Sequence, residues 1–299
     1  AADFLRGAPP QPFFLDIGFF ETHRAFLEPG PQENPHYVRP PVPIPDTPET
    51  RRDMAGFIAS ARQLDHKMGT VLQALEESGL AENTLVICTT DHGLAFPAMK
   101  CNLTDHGTGI MLILRGPGNF TGGQVSDALV SQIDLFPTLC ALLEIDPPAW
   151  LQGKSFLPLL HGQVEIGEVV FSEINFHVSL DAQRAVRTQR WKYIRRFDNR
   201  GRPVLPNTDD SPSKSLWISS GWRERPVDLE QLYDLVFDPN ETCNLAENPA
   251  YTTVKSGLRA MLAAWMTETN DPLLHGPLQW PAGFPHLDPD STSAAEIGL

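Results

Sequence analysis

Apolar positions fall in blocks along the chain. Phe13 to Phe20, FFLDIGFF, is a nearly continuous apolar run of strand length, the pattern of a strand covered on both faces. Glu28 to Pro48 holds eight prolines, too many fixed φ angles and missing donors for helix or central strand, and reads as an extended surface loop. Thr47-Pro48-Glu49 then offers an N-cap, an N1 proline and a first-turn acid. Met54, Phe57, Ile58, Ala61, Leu64, Met68, Val71, Leu72 and Leu75 follow at helical spacing, so a long amphipathic helix is predicted to stop near Gly79.

Thr84 to Thr90 reads as a second buried strand and Ile110 to Leu114 as a third, with a helix after it marked by Val130, Ile133, Phe136, Leu139, Cys140 and Leu143. This order predicts an α/β fold, a mostly parallel sheet flanked by helices. Beyond Pro158 to Gly162 the pattern shifts to VVFSEI, AVRTQRWKYIRRF, a polar loop from Asp198 to Gly221, and LEQLYDL, which suits a small antiparallel sheet. Val254, Leu258, Met261, Leu262, Trp265 and Met266 mark a closing helix. The predicted division is 1–163, then a smaller α+β subdomain over 164–275, then an irregular tail over 276–299.

The 299 residues are 41% hydrophobic, which excludes a disordered or fibrous chain. A net charge of −14 argues against a nucleic-acid partner. No run is apolar enough over about 18 residues to span a bilayer, and no export signal stands at the start. Cys88, Cys101, Cys140 and Cys243 form no CxxC pair, so neither a zinc ribbon nor a disulfide scaffold is indicated.

Asp91 and His92 directly follow the second strand, an oxygen donor and an imidazole where ligands of open α/β sheets bind. An ordinary polar strand terminus reads the same way. Lys100 lies on the next loop, which leads to Asp105-His106-Gly107, and a lone loop lysine is commonly solvated. His23 follows the first strand. Topology joins them: His23, Asp91, His92 and Lys100 are predicted to meet at the carboxyl edge of one sheet.

The run from PDTPETRRDM through TTDHG and FPAMKCNLTDHGTGIMLILRGPG resembles the sulfatase family of the alkaline-phosphatase superfamily, and QLYDLVFDPNETCNLAENP resembles that family's C-terminal subdomain. FFETHR and DHGLAFPAMKCNL are most similar to its sulfamidase branch, the N-sulfoglucosamine sulfohydrolases. The resemblance implies hydrolysis of sulfate esters or sulfamates on a sulfated carbohydrate or other sulfated small molecule. It makes Asp91 and His92 ligands of a divalent cation, normally Ca2+, with Lys100 on a sulfate oxygen and His23 donating to the sulfuryl group or leaving atom. His177 and Arg184 fall where sulfatases return chain towards the pocket and could meet the sugar, although a surface loop and a strand edge are the plainer reading. His106 could line the Lys100 loop. A periplasmic, secreted or lysosomal setting is implied by resemblance alone.

Sulfatases also need a formylglycine made from Cys in Cys-x-Pro/Ala-x-Arg and an Asp-Asp pair at the first strand's end. None of the four cysteines lies in that pattern. The chain therefore reads as a fragment whose nucleophile lies upstream, inactive by itself. The alternatives are a phosphodiesterase or phosphomutase of the same superfamily, which would need a second Asp and His set, and a non-catalytic sugar-binding module.

Overall fold

The computed structural model describes residues 1–297. A short helix α1 (Ala2–Arg6) lies against the long helix α2 (Pro48–Glu77). Thr47 caps α2 as the sequence predicts: its hydroxyl accepts the Thr50 N–H, and the Thr50 hydroxyl oxygen accepts the Thr47 N–H. The most deeply buried positions of the first half of α2 are small or polar, Thr50, Asp53, Ala55, Gly56 and Ser60. There loop 26–27 lies against the helix, the Leu27 N–H donating to Ser60 Oγ at 2.9 Å.

Phe13 to Phe20 is extended but joins no ladder. Its burial alternates residue by residue, with Phe13 and Leu15 packed on the cluster of Leu5 and, from α2, Ala74 and Leu75 while Phe14 is 87% and Phe20 70% exposed. The expected strand covered on both faces is thus a one-sided extended segment, because a helix offers apolar contacts and no backbone partners. The parallel sheet is not what the described residues form either. β1 (Val86–Thr89) pairs antiparallel with β2 (Leu112–Arg115), Val86 opposite Arg115 and Thr89 opposite Leu112. A parallel return needs a crossover, usually a full helix; the connection here holds only the four-residue α3 (Asp105–Thr108) and otherwise folds into the loop that carries Lys100. The helix expected from Val130 is shorter, α4 (Leu135–Leu142), entered through a 3₁₀ turn at Gln132–Asp134.

The small subdomain is an antiparallel meander of β3 (Val170–Phe176), β4 (Leu180–Arg187) and β5 (Trp191–Arg196), closed by β6 (Glu230–Asp234). The run AVRTQRWKYIRRF is two strands, turned at Thr188, whose Oγ1 accepts the Arg190 and Trp191 N–H groups. Period-2 alternation splits the sheet's faces. Val186, Tyr193 and Leu232 pack on Leu258, Leu262 and Met266 of α6 (Thr252–Glu268), with Phe171 stacked on Trp265 at 4.9 Å. Ala185, Ile194 and Tyr233 on the other face bury Leu103 of the Lys100 loop. That loop is therefore held between the small sheet and α2. The polar stretch from Asp198 to Gly221 also contains a helix, α5 (Pro212–Ser219), whose Trp217 joins Ile44, Phe96 and Met99 beneath Lys100. The tail crosses the tip of β3, with Trp280 against Phe176 and the Leu287 N–H donating to Val178 O.

Candidate functional site

Two Asp-His-Gly segments pack directly on each other. Gly93 N–H donates to Gly107 O at 2.9 Å, and a Cβ added at Gly93 would stand 1.9 Å from the His106 carbonyl oxygen. Only glycine permits that approach, and it fixes the loop carrying Asp91 and His92 on α3. His106 thus contributes its backbone, while its Nε2 is buried without a partner among the described residues.

His23 is brought in by its neighbour. The Arg24 guanidinium donates to Asp53 of α2 at 2.7 and 2.9 Å and to Ala95 O at 2.9 Å, and it lies 3.9 Å from the Phe26 ring centroid. This ties the loop after the extended segment both to the long helix and to the loop before Lys100. His23 itself stays exposed, with Nδ1 2.7 Å from Arg24 O.

Lys100 is not the solvated loop lysine that its sequence setting allows. It is 6% exposed, and its ammonium donates to both carboxylate oxygens of Asp209 at 3.0 and 3.3 Å. Ala98 and Cys101 beside it adopt φ near 60°, a left-handed conformation that costs a non-glycine residue roughly 1 kcal/mol each. The adjacent Cys101 thiol is pushed up to about 12 by burial, which keeps it protonated and unreactive at neutral pH.

His177 stands where β3 turns into β4, and it belongs to this group. Burial holds its imidazole below the ordinary histidine range, the Lys100 ammonium adds to that effect, and Asp209 opposes it; His92 and His23 push in the same direction as Lys100. His177 thus lies beside the loop of Asp209, the partner of Lys100, which Asn207 ties to the Val178 and Ser179 N–H groups. Arg184 does not belong to this group. Its side chain is wholly buried, with Nε and Nη2 on Asp271 at 2.5 and 3.0 Å, Nη2 also on Asn175, and Nη1 on the Ile174 and Gln183 carbonyls. With its donors spent inside the subdomain, Arg184 is a packing residue and has no path to a sugar, contrary to the sequence expectation.

Asp91 and His92 lie together at the end of β1, Oδ2 to Nε2 being 3.6 Å, and the Asp91 side chain is 88% exposed. They fit part of a cation shell and not the whole of one. Among the described residues no group of three or more His, Cys, Asp and Glu side chains converges, whereas calcium takes six to eight oxygen ligands.

Asp209 escaped the sequence reading because a polar stretch between strands gives no period that would mark one carboxylate. The local signal was Ser211-Pro212, a cap and N1 proline of a helix just after it.

The sulfatase family model matches residues 1–145, and the model described as N-sulphoglucosamine sulphohydrolase, C-terminal, matches residues 100–214. The chain belongs to the sulfatase family. It is 30% identical to human N-sulphoglucosamine sulphohydrolase over 92% of its own length and 64% of that protein, and 30% identical to an ulvan-active sulfatase of Formosa agariphila over 80% and 43%. Among solved structures it is similar to a 2-O GAG sulfatase, with a TM-score of 0.62 and 26% identity over 83% of this chain and 51% of the other. The chain thus spans between 43% and 64% of the length of these relatives. No helix among the described residues is long and apolar enough to cross a membrane.

Proposed function

We propose that the chain carries the sulfuryl-binding and leaving-group side of a hydrolase acting on sulfate esters or sulfamates of a carbohydrate, with the nucleophile lying outside these 299 residues. The observation that carries the reading is the buried Lys100 ammonium, whose loop leaves the Asp91-His92 strand end, Lys100 N–H donating to Leu94 O at 3.0 Å, and whose partner Asp209 lies on the loop that Asn207 ties beside His177. A cation in a water-poor site is complementary to a tetrahedral anion, and imidazoles can add hydrogen bonds to it.

In this reading Lys100 holds a sulfate oxygen, and its charge counters the charge that builds on the leaving side as the bond to sulfur breaks. His23, exposed, donates a proton or hydrogen bond to the departing oxygen or nitrogen. His177 enters from the small subdomain on the same side and orients the sugar. Asp91 and His92 would give two donors to a divalent cation, calcium by family resemblance, completed by groups that this chain does not hold. The cation would supply neutralisation of sulfate oxygens, and a formylglycine the attacking oxygen. The relatives named N-sulphoglucosamine sulphohydrolase, ulvan-active sulfatase and 2-O GAG sulfatase support a sulfated carbohydrate as substrate class.

The test is titration of the chain with sodium sulfate, followed by NMR of the histidine rings. Saturable shifts that vanish in Lys100→Met support the reading, and shifts that Lys100→Met leaves unchanged overturn it. In the parent enzyme, Lys100→Ala should lower kcat about 10²-fold or more, and Lys100→Arg less, since a guanidinium keeps the charge with a different reach.

A further inference from the structure

Asp209 poses a problem of sign. A carboxylate beside an anion-binding lysine repels the anion and neutralises the cation, so on charge alone it weakens the site. Its geometry offers the compensating role. Lys100 and Asp209 are 109 positions apart in the chain, and among the described residues the Lys100 ammonium has hydrogen bonds to Asp209 alone. An ammonium has three donors, so with both contacts made to one carboxylate at least one donor remains for a ligand.

Asp209 is itself held firmly. Asn207, buried, accepts the Val178 and Ser179 N–H groups at 3.1 and 2.9 Å and returns a bond to Ser179 O at 3.1 Å, which locks the loop to the turn next to His177. Lys214 of α5 donates to Thr208 O at 2.6 Å and to Asp210 at 2.8 Å. Both sides of Asp209 are pinned, one by the β3–β4 turn and one by α5.

We propose that Asp209 is the positioning residue for Lys100, and that the C-terminal subdomain thereby sets the sulfate-binding geometry of a lysine carried by the other part of the chain. A free lysine side chain loses rotamer freedom when it takes up a ligand; Lys100 has already lost it to Asp209, so its remaining donor meets the anion without reorganisation. This rests on the sulfuryl-binding reading above.

The experiment separates the two. Sulfate affinity is measured by the NMR titration in the unaltered 299-residue chain, Lys100→Met, Asp209→Ala and Asp209→Asn, with circular dichroism and thermal melting as the check on folding. Asp209→Asn has the same shape and keeps one acceptor while removing the charge. Positioning predicts about tenfold weaker sulfate binding in Asp209→Ala and a smaller loss in Asp209→Asn; a carboxylate acting only as nearby charge predicts tighter binding in both. A second readout needs no anion: acetylation of Lys100 by N-hydroxysuccinimide acetate, followed by mass spectrometry, should rise at least about fivefold in Asp209→Ala while Lys255 is unchanged. Equal or tighter sulfate binding in both Asp209 variants, with binding lost in Lys100→Met, overturns the positioning role and leaves the reading standing. Sulfate binding indifferent to Lys100→Met overturns the reading, and the labelling rate then still decides whether Asp209 restrains Lys100.

Discussion

Glu241 faces the Lys192 ammonium at 3.6 Å, with the two side chains 0% and 1% exposed. Lys192 also donates to Asp105 and to Leu103 O, and Glu241 accepts the Asp105 N–H, so the two residues clamp the N-terminus of α3 onto the small sheet. Arg187 adds a second cation on Asp105. Burial outweighs the pull of Lys192 and raises the Glu241 carboxyl to about 7, with the Asp105 charge acting in the same upward direction.

The sign of the pH dependence follows. Below about pH 4.5 Glu241 is protonated in both the folded and the unfolded chain; between there and about 7 the unfolded chain ionises while the folded one retains its proton. Folded protein then binds more protons, so this residue's contribution to stability falls as pH rises through the window, by up to about 3 kcal/mol. Asp105, held below its ordinary value mainly by Arg187 and Lys192 against burial, acts at lower pH and with the opposite slope. Glu241→Gln should flatten the dependence: thermal melting at pH 5 and pH 8 should differ less in the variant than in the unaltered chain, and an equal difference would refute the assignment.

Gly93 and Gly69 give opposite expectations for one substitution. Gly93→Ala drives a Cβ into the His106 carbonyl, and separating the two segments should cost about 3 kcal/mol in urea unfolding. Gly69→Ala, on α2 with no atom beyond its own stretch of helix within 4 Å of the new Cβ, should gain about 0.5 to 1 kcal/mol. Similar effects of the two changes would mean that the packing of the two Asp-His-Gly segments is not as described.

Arg184 and Asp271 form a buried pair, so removing one partner strands the other charge. Asp271→Ala should destabilise the chain by about 3 to 5 kcal/mol, and Arg184→Met with Asp271→Leu should recover much of that loss. Sulfate affinity in the folded double variant should equal that of the unaltered chain; a loss there would restore Arg184 to the ligand site.

The 299-residue chain should hydrolyse neither sulfate esters nor sulfamates, since Cys101 is a neutral, half-buried thiol and none of the four cysteines lies in a formylglycine pattern. Turnover of a sulfated sugar by the purified chain, with or without added calcium, would show that a nucleophile lies within it.

Local signals were legible in the sequence wherever the chain's own neighbours determine structure. Thr47 and Pro48 set the start of α2 because a cap and a fixed φ act within one turn, and the apolar repeat from Val254 to Met266 marked α6 because one helix face is enough to bury it. Asp91, His92, Lys100 and His23 stood out as chemistry at the ends of extended segments. The partners of those segments were not legible. Strand direction depends on how a connection folds, and the loop between β1 and β2 folds back without a crossover helix. Burial of Phe13 to Phe20 depends on what stands opposite each face. Long-range pairs escaped for the same reason: nothing near Lys100 in sequence points to Asp209, and nothing near Arg184 points to Asp271, because a charge carries no periodic mark of its partner. Only tertiary packing decides these pairs: the small sheet seated on the Lys100 loop through Leu103 sets Asp209 within reach of Lys100, and the fold of the subdomain itself joins Arg184 to Asp271.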